Sequence, residues 1–339
     1  MKRYFSLEEL VSGEAVAERS KWKCPVATTG FFDGLHRGHQ KLLAELRQWS
    51  RELGGKTIVI TFDPHPRQAL GGSSPPAILS TRHKLLLLER ENIDATLVLP
   101  FDKAMSQWSV EKFVQKVFHD ALGCHHFLLG FDSTIGHKRR GDFEYLSSHA
   151  EELEISVRQS EPLLVDETRI SSTLVRDAIL RGQLDAVRKI TNRYYSILGR
   201  VVAGDGRGKS LGFPTANLEV EVGAAPPNGV YFAHVQRVLT ASGEESPVHD
   251  CPALVNVGRR PTFTSTSTRP EEPHSAFNPE RDRIEAHLLD YSGDLYGAWL
   301  EIQFLAIHRP EKRFDHVEDL VEQIRLDEQA FREFLTRTR

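Results

Sequence analysis

Two short stretches of this chain combine glycines with groups that grip phosphate. The first is Gly30-Phe31-Phe32-Asp33-Gly34-Leu35-His36-Arg37-Gly38-His39. Its glycines let backbone N–H groups approach an anion, and a helix opening at its end adds positive potential. His36 and His39 are three apart, so on a first helical turn they share a face and can donate to one anion. A surface pair, or half of a metal site, are the competing readings. The second stretch is Gly204-Asp205-Gly206-Arg207-Gly208-Lys209, with Pro214-Thr215-Ala216-Asn217 close behind. Backbone donors in such a loop can wrap phosphates. Its spacing fails the GK[ST] rule of a Walker loop, and alone it reads equally as a hairpin turn. Thr215 and Asn217 add two neutral oxygen ligands of the kind that suit Mg²⁺ carrying nucleotide phosphates. Further on, Ile284, Ala286 and Leu288 alternate with Glu285, His287 and Leu289. Glu285 therefore projects from the face opposite Ile284, as a general base or as a solvated outer charge.

Each stretch needs a frame. Around the first, strand patterns at 25–29, 56–62, 95–99, 126–129 and 155–158 alternate with helical patterns at 38–51, 82–91 and 110–122. That spacing predicts an α/β domain, a parallel sheet with helices on both faces. Ligands of such sheets bind beyond the carboxyl ends of the strands, which puts the Gly30, Asp63 and Gly130 loops on one rim. After a helical pattern over 174–190 the chain turns β-rich, with strands expected at 197–202, 229–238, 253–257, 284–289 and 300–307. Gly and Pro turns between them suit an all-β sandwich or barrel, closed by an amphipathic helix at 317–335. The expected domains are 1–188 and 189–339. The polar, Pro-bearing stretch Thr264 to Pro279 reads as a surface loop.

Composition narrows the classes. The 339 residues are 40% hydrophobic and 27% charged, enough to bury two cores. Forty-three Lys and Arg against 47 Asp and Glu leave a charge of −4, which argues against a general nucleic-acid binder. Cys24, Cys124 and Cys251 are far apart and odd in number, so neither a disulfide framework nor a structural zinc site is expected. No apolar run approaches the roughly 20 residues of a membrane span, and the N-terminus has no secretory pattern. The expectation is a cytoplasmic protein.

The Gly30–His39 decapeptide resembles the GxFDGxHxGH signature of the HxGH nucleotidyltransferases, in the version carried by bacterial bifunctional riboflavin kinase/FAD synthetases. Thr61 to Arg67 (TFDPHPR) resembles the second loop of that family. Gly130-Phe131-Asp132 with Gly136 and Arg139 to Asp142 resembles its third, and Ile170-Ser171-Ser172-Thr173 with Arg176 its ISSTxxR segment. The resemblance implies a Rossmann-like domain that adenylylates FMN to FAD. His36 and His39 would contact ATP phosphates beside Gly30, Phe32, Asp33, Gly34 and Gly38, while Ser172, Thr173 and Arg176 hold the triphosphate. Asp132 would lie near the metal or nucleotide. Asp63 would face flavin or nucleotide, or be only a turn residue before Pro64. Ser172 and Thr173 would also serve as a helix N-cap. Two departures stand out: Ser133-Thr134-Ile135 replace the usual aromatic and basic residues, and Leu174 stands where many members have Arg.

In the second half, GDGRGK and LGFPTAN resemble the riboflavin kinase segment nearly residue for residue. The match continues through Asn256-Val257-Gly258, Glu285 to Asp290, Leu295-Tyr296-Gly297, Arg309 and Lys312-Arg313-Phe314. It implies a Greek-key barrel that phosphorylates riboflavin to FMN. Gly204, Asp205, Gly206, Arg207, Gly208 and Lys209 would cradle ATP, and Thr215 and Asn217 would bind Mg²⁺. Glu285 would be the base at the flavin 5′-hydroxyl, Asn256 would lie on the flavin side or by the nucleotide, and Arg309 near flavin and phosphates. Asn192-Arg193-Tyr194-Tyr195 and Ala203 depart from the family pattern. The partners implied are small molecules: riboflavin, FMN and ATP. Three rivals remain at this stage: a riboflavin kinase whose N-terminal domain has decayed into a binding module, a nucleotidyltransferase acting on another phosphate, and a flavin-storage protein.

Overall fold

The computed structural model describes residues 1–65, 69, 71, 75–204, 207–221, 224–239, 251–259 and 282–338. Asp205, Gly206, Pro66, Arg67 and the 264–279 stretch lie outside them. The chain forms two compact units, Met1–Pro75 with Thr81–Ser172, and Pro76–Ser80 with Thr173–Arg339.

The first unit is built on six strands: β1 (Lys2–Tyr4), β2 (Val26–Thr29), β3 (Thr57–Asp63), β4 (Ala95–Pro100), β5 (His126–Leu129) and β6 (Ser156–Gln159). All their pairings are parallel, in the order β1-β4-β3-β2-β5-β6. Five successive residues of β3 are buried, which is what a central parallel strand covered on both faces requires. Helix Arg37–Glu52 presents Leu42, Leu43, Leu46 and Trp49 to the core, the periodic stripe of an amphipathic helix. From β2 the chain winds through β3 to β4, then crosses back to lay β5 on the other side of β2. This reversal makes the crevice between the ends of β2 and β5 the topological switch point. Gly30 follows β2 and Gly130 follows β5. A short hairpin of β7 (Leu164–Val165) and β8 (Thr168–Arg169) completes the unit.

The second unit opens with two helices, Ser172–Leu180 and Leu184–Thr191. They replace the single helix expected over 174–190, because Gly182 takes a left-handed φ of +67° between them. Then come β9 (Tyr195–Val202), β10 (Ala216–Val220), β11 (Gly229–Leu239), β12 (Cys251–Arg259), β13 (Asp282–Leu288) and β14 (Trp299–Arg309). They close as an antiparallel barrel in the order β10-β13-β12-β11-β14-β9. Within it β14-β11-β12-β13 is a Greek key, with β14 returning beside β11. Tyr231, Val255, Ile284, Ala286, Ile302 and Phe304 are fully buried and alternate along their strands with outward-facing residues. On the outer face Val230, Phe232 and Leu254 pack with Leu289 and Phe331 of the C-terminal helix Val317–Thr338. The Phe232 and Phe331 rings stack at 4.6 Å. Burying a phenylalanine in this way contributes roughly 1.5–3 kcal/mol, so the helix is anchored at its own aromatic seam.

Candidate active sites

The switch point of the parallel sheet holds a cavity of about 230 Å³, lined by Gly30, Phe32, Asp33, His36, Gly38, His39, Gly130, Asp132 and Ser172 among others. Three separate motifs of the sequence thus meet at one rim. The turn after β2 is tight: Phe32 (φ +53°), Gly34 (φ +76°) and Leu35 (φ +37°) all lie in the left-handed region, a conformation that L side chains adopt only where surrounding structure enforces it. Phe32 and Leu35 are buried, and that burial holds the turn. His36 is the N-cap of helix Arg37–Glu52, its Nδ1 accepting the His39 backbone N–H at 3.3 Å. An accepting Nδ1 places the proton of the neutral ring on Nε2. Burial pushes His36 down to about 4, only partly opposed by Asp132. His39 is pushed well below 6.5 by burial, then by His36 and Lys84. Both rings are therefore neutral at neutral pH, stacked at 3.7 Å, and His39 Nδ1 is buried with no hydrogen-bond partner. An orphaned ring nitrogen beside an N–H-rich turn fits a phosphate-binding cradle.

Ser172 ties the SST segment to this turn by donating to the Asp33 carbonyl at 2.8 Å. Thr173 and Arg176 belong to the second unit, where the buried Arg176 donates through Nε to the Pro76 carbonyl at 2.7 Å. Asp63 is exposed at the end of β3. Asp132 is exposed and paired at 2.5 Å with Arg169 of β8, whose guanidinium lies over the Phe131 ring. The Ser133-Thr134-Ile135 departure forms a closed turn. Ile135 is buried and bridges Gly141, and Arg139 donates to Thr134 Oγ1 at 3.0 Å and to the Asp132 carbonyl at 3.2 Å. The loop keeps Gly130, Asp132 and Ser133 on the cavity wall.

Sequence reasoning missed Arg169 and Ser160 on that wall, and also Lys84. Lys84 is 1% exposed; its Nζ donates to Thr61 Oγ1 at 3.1 Å and sits 4.2 Å from the Phe31 ring centre. Burial pushes it down to about 8, against the pull of Asp33 and Asp63. Its signal in the sequence was a lone charge inside the apolar run His83-Lys84-Leu85-Leu86-Leu87-Leu88.

On the barrel, strand register assembles the second site. Asn217 pairs with Glu285 across β10 and β13, and Glu285 pairs with Asn256 across β13 and β12. The three form one row on the outer face, since Ile284 and Ala286 point inward. Arg283 Nη1 donates to Glu285 Oε1 at 2.9 Å, and Asn256 Nδ2 to Glu311 Oε1 at 3.3 Å. The loop before β10 folds closely over this row. A Cβ at Gly204 would overlap the Asn217 amide, and one at Gly208 would lie 3.2 Å from Thr215 Oγ1. Arg207–Ser210 form a helical turn. Among the described residues no group of three or more His, Cys, Asp or Glu is placed to hold a metal ion. The oxygens of Thr215 and Asn217 fit a magnesium ion whose other ligands come with a nucleotide.

Arg309 is held by Asp327 of the C-terminal helix, with Nε 3.0 and 3.1 Å from the two carboxylate oxygens and Nη2 at 2.7 Å. Burial acts upward on Asp327, but Arg309 and Gln323 outweigh it and hold its carboxyl below the usual range. Such bidentate geometry fixes the guanidinium as an oriented cation.

A parallel sheet with a histidine cradle at its switch point, and a barrel with a carboxylate beside neutral oxygen ligands, define an enzyme that transfers groups from nucleotides. Residues 18–174 match the FAD synthetase family model and residues 191–335 the riboflavin kinase model. A bifunctional riboflavin kinase/FMN adenylyltransferase of Pseudomonas fluorescens is 33% identical over 307 residues, covering 91% of this chain and 92% of that protein. The Haemophilus influenzae protein of the same description is 31% identical over 327 residues, covering 96% and 99%. A crystal structure from Streptococcus pneumoniae, described as a macrolide-efflux protein, superposes with a TM-score of 0.72 at 26% identity over 93% of this chain and 96% of that one. Among the described residues of this chain, no helix is long and apolar enough to cross a membrane. The chain belongs to the bifunctional riboflavin kinase/FMN adenylyltransferase family.

Proposed function

We propose that the two activities divide between the two halves, adenylylation of FMN in 1–188 and phosphorylation of riboflavin in 189–339. In the first, the attacking oxygen comes with the FMN phosphate, so the protein's task is alignment and charge stabilisation. His36 donates from Nε2, and backbone N–H groups of the Gly30–His39 turn receive phosphate oxygens. Ser172 braces the turn, and the family resemblance adds Thr173 and Arg176 as triphosphate ligands. Asp63 and Asp132 border the flavin or nucleotide. In the second, Glu285 accepts the proton of the riboflavin 5′-hydroxyl as the γ-phosphoryl group is transferred. Asn256 orients the flavin, and Arg309 supplies fixed positive charge. The 204–209 loop cradles ATP, and Thr215 and Asn217 hold Mg²⁺, which would neutralise phosphate charge there. The protein works in the cytoplasm on small-molecule substrates.

The observation that carries the kinase reading is the Asn217–Glu285–Asn256 row, three positions far apart in sequence made neighbours by strand register. The test is chromatography of flavins after incubating the pure chain with riboflavin, ATP and Mg²⁺. FMN appearing first and FAD following is expected. FMN that accumulates without FAD would return the first half to the decayed-module reading, and no conversion at all would return the chain to flavin storage.

A further inference from the structure

The C-terminal helix reaches the strand that carries Glu285 through His287. His287 lies on the outer face of β13, two residues beyond Glu285. Its Nδ1 is 2.8 Å from the Pro214 carbonyl oxygen, and its Nε2 is 2.8 Å from Glu328 Oε1 on the helix. A backbone carbonyl and a carboxylate only accept. The ring therefore bridges the two, and the Glu328 side chain holds it against the Pro214 carbonyl. The pair is partly shielded, with the two side chains 13% and 25% exposed, and the Phe213 ring stands edge-on to His287 at 5.6 Å.

The Pro214 carbonyl belongs to the peptide that enters Thr215, so whatever fixes that carbonyl fixes the peptide plane from which Thr215 projects. The neighbouring helix residue, Asp327, binds Arg309, and His308 Nε2 also reaches Asp327 Oδ1 at 3.1 Å. Successive residues of one helix therefore hold a basic side chain and, through His287, the loop that carries a metal ligand.

We propose that Glu328 and His287 form a clamp by which the C-terminal helix positions Thr215 for phosphoryl transfer. The proposal rests on the kinase assignment of the barrel. Neither residue touches substrate; both are positioning residues.

The test uses the full chain with Glu328→Gln and His287→Gln, assayed for FMN formation from riboflavin and for FAD formation from supplied FMN. Each variant should raise the apparent KM for Mg²⁺–ATP in FMN formation roughly fivefold or more with kcat held within about twofold. The double variant should be no worse than either single one, and FAD formation should not change. Wild type turning over normally with unchanged KM in both variants would overturn the clamp alone. A wild type that makes no FMN would overturn the kinase assignment and the clamp with it.

Discussion

Lys84 shows how much a single side chain can cost and what it supplies. Its ammonium is sealed beneath the first turn with one neutral hydroxyl and one aromatic face as direct partners, and the carboxylates of Asp33 and Asp63 pull its charge back toward the protonated form. Unfolded it titrates near 10.5, folded near 8. Between those values the unfolded chain binds the proton that the folded protein has released, so this residue makes stability rise with pH across that window. Below pH 8 the cost is full, about 3 kcal/mol at most. Lys84→Met should therefore lose that rise, which urea unfolding at pH 7 and pH 10 will measure against the wild type. The same variant should slow FAD formation at least tenfold while FMN formation continues, because the turn loses the cation that balances Asp33. Equal pH dependence in the two proteins would show that Lys84 is not desolvated. Placement at this scale was half readable beforehand: spacing put His36 and His39 at the opening of one helix, and the family resemblance brought Asp132 and Ser172 to the same rim. The places of Lys84 and Arg169 come only from what folds around them, and a lysine within a leucine run reads first as a solvated charge.

At the scale of elements, alternation of strand and helix announced the parallel sheet, and Greek-key closure followed from the resemblance of the second half. The C-terminal helix lies where its amphipathic pattern placed it. The elements that escaped have short or ambiguous patterns. β1 has three residues, β10 follows directly on Pro214-Thr215, and the break at Gly182 is hidden inside a continuous apolar period. Register escaped altogether, since pairing of β10 with β13 and of β13 with β12 joins residues some 30 to 70 positions apart and no local signal encodes it. Yet register is what makes neighbours of Asn217, Glu285 and Asn256. Gly204, itself in the proposed ATP loop, tests that geometry through the Asn217 amide it lies against. A methyl group there competes with the Asn217 amide for the same space, so Gly204→Ala should turn the amide away from the row. FMN formation should fall at least tenfold and need more Mg²⁺ for half-maximal rate, with FAD formation from FMN unaltered. Unchanged magnesium dependence would remove Asn217 from the ligand set.

Taken whole, the two proposed sites share no residue, and each follows the rules of its own architecture. The one proposed in the α/β half lies at a crevice where strand order reverses, and the one proposed in the barrel on the outer face of three adjacent strands. If the two sites act as independent catalysts linked by FMN in solution, damage to one should be repaired by an intact copy on another molecule. Glu285→Ala should make no FMN yet convert supplied FMN to FAD, and His36→Ala should stop at FMN. An equimolar mixture of the two should turn riboflavin into FAD, with a lag during which free FMN builds up and a rate that grows with the concentration of the second protein. A mixture that accumulates FMN without FAD, although each variant keeps its remaining activity, would mean that FMN reaches the adenylylation site only within its own chain. A chain that fuses two ATP-dependent steps would then gain transfer efficiency from the fusion, and not only the equal supply of two catalysts.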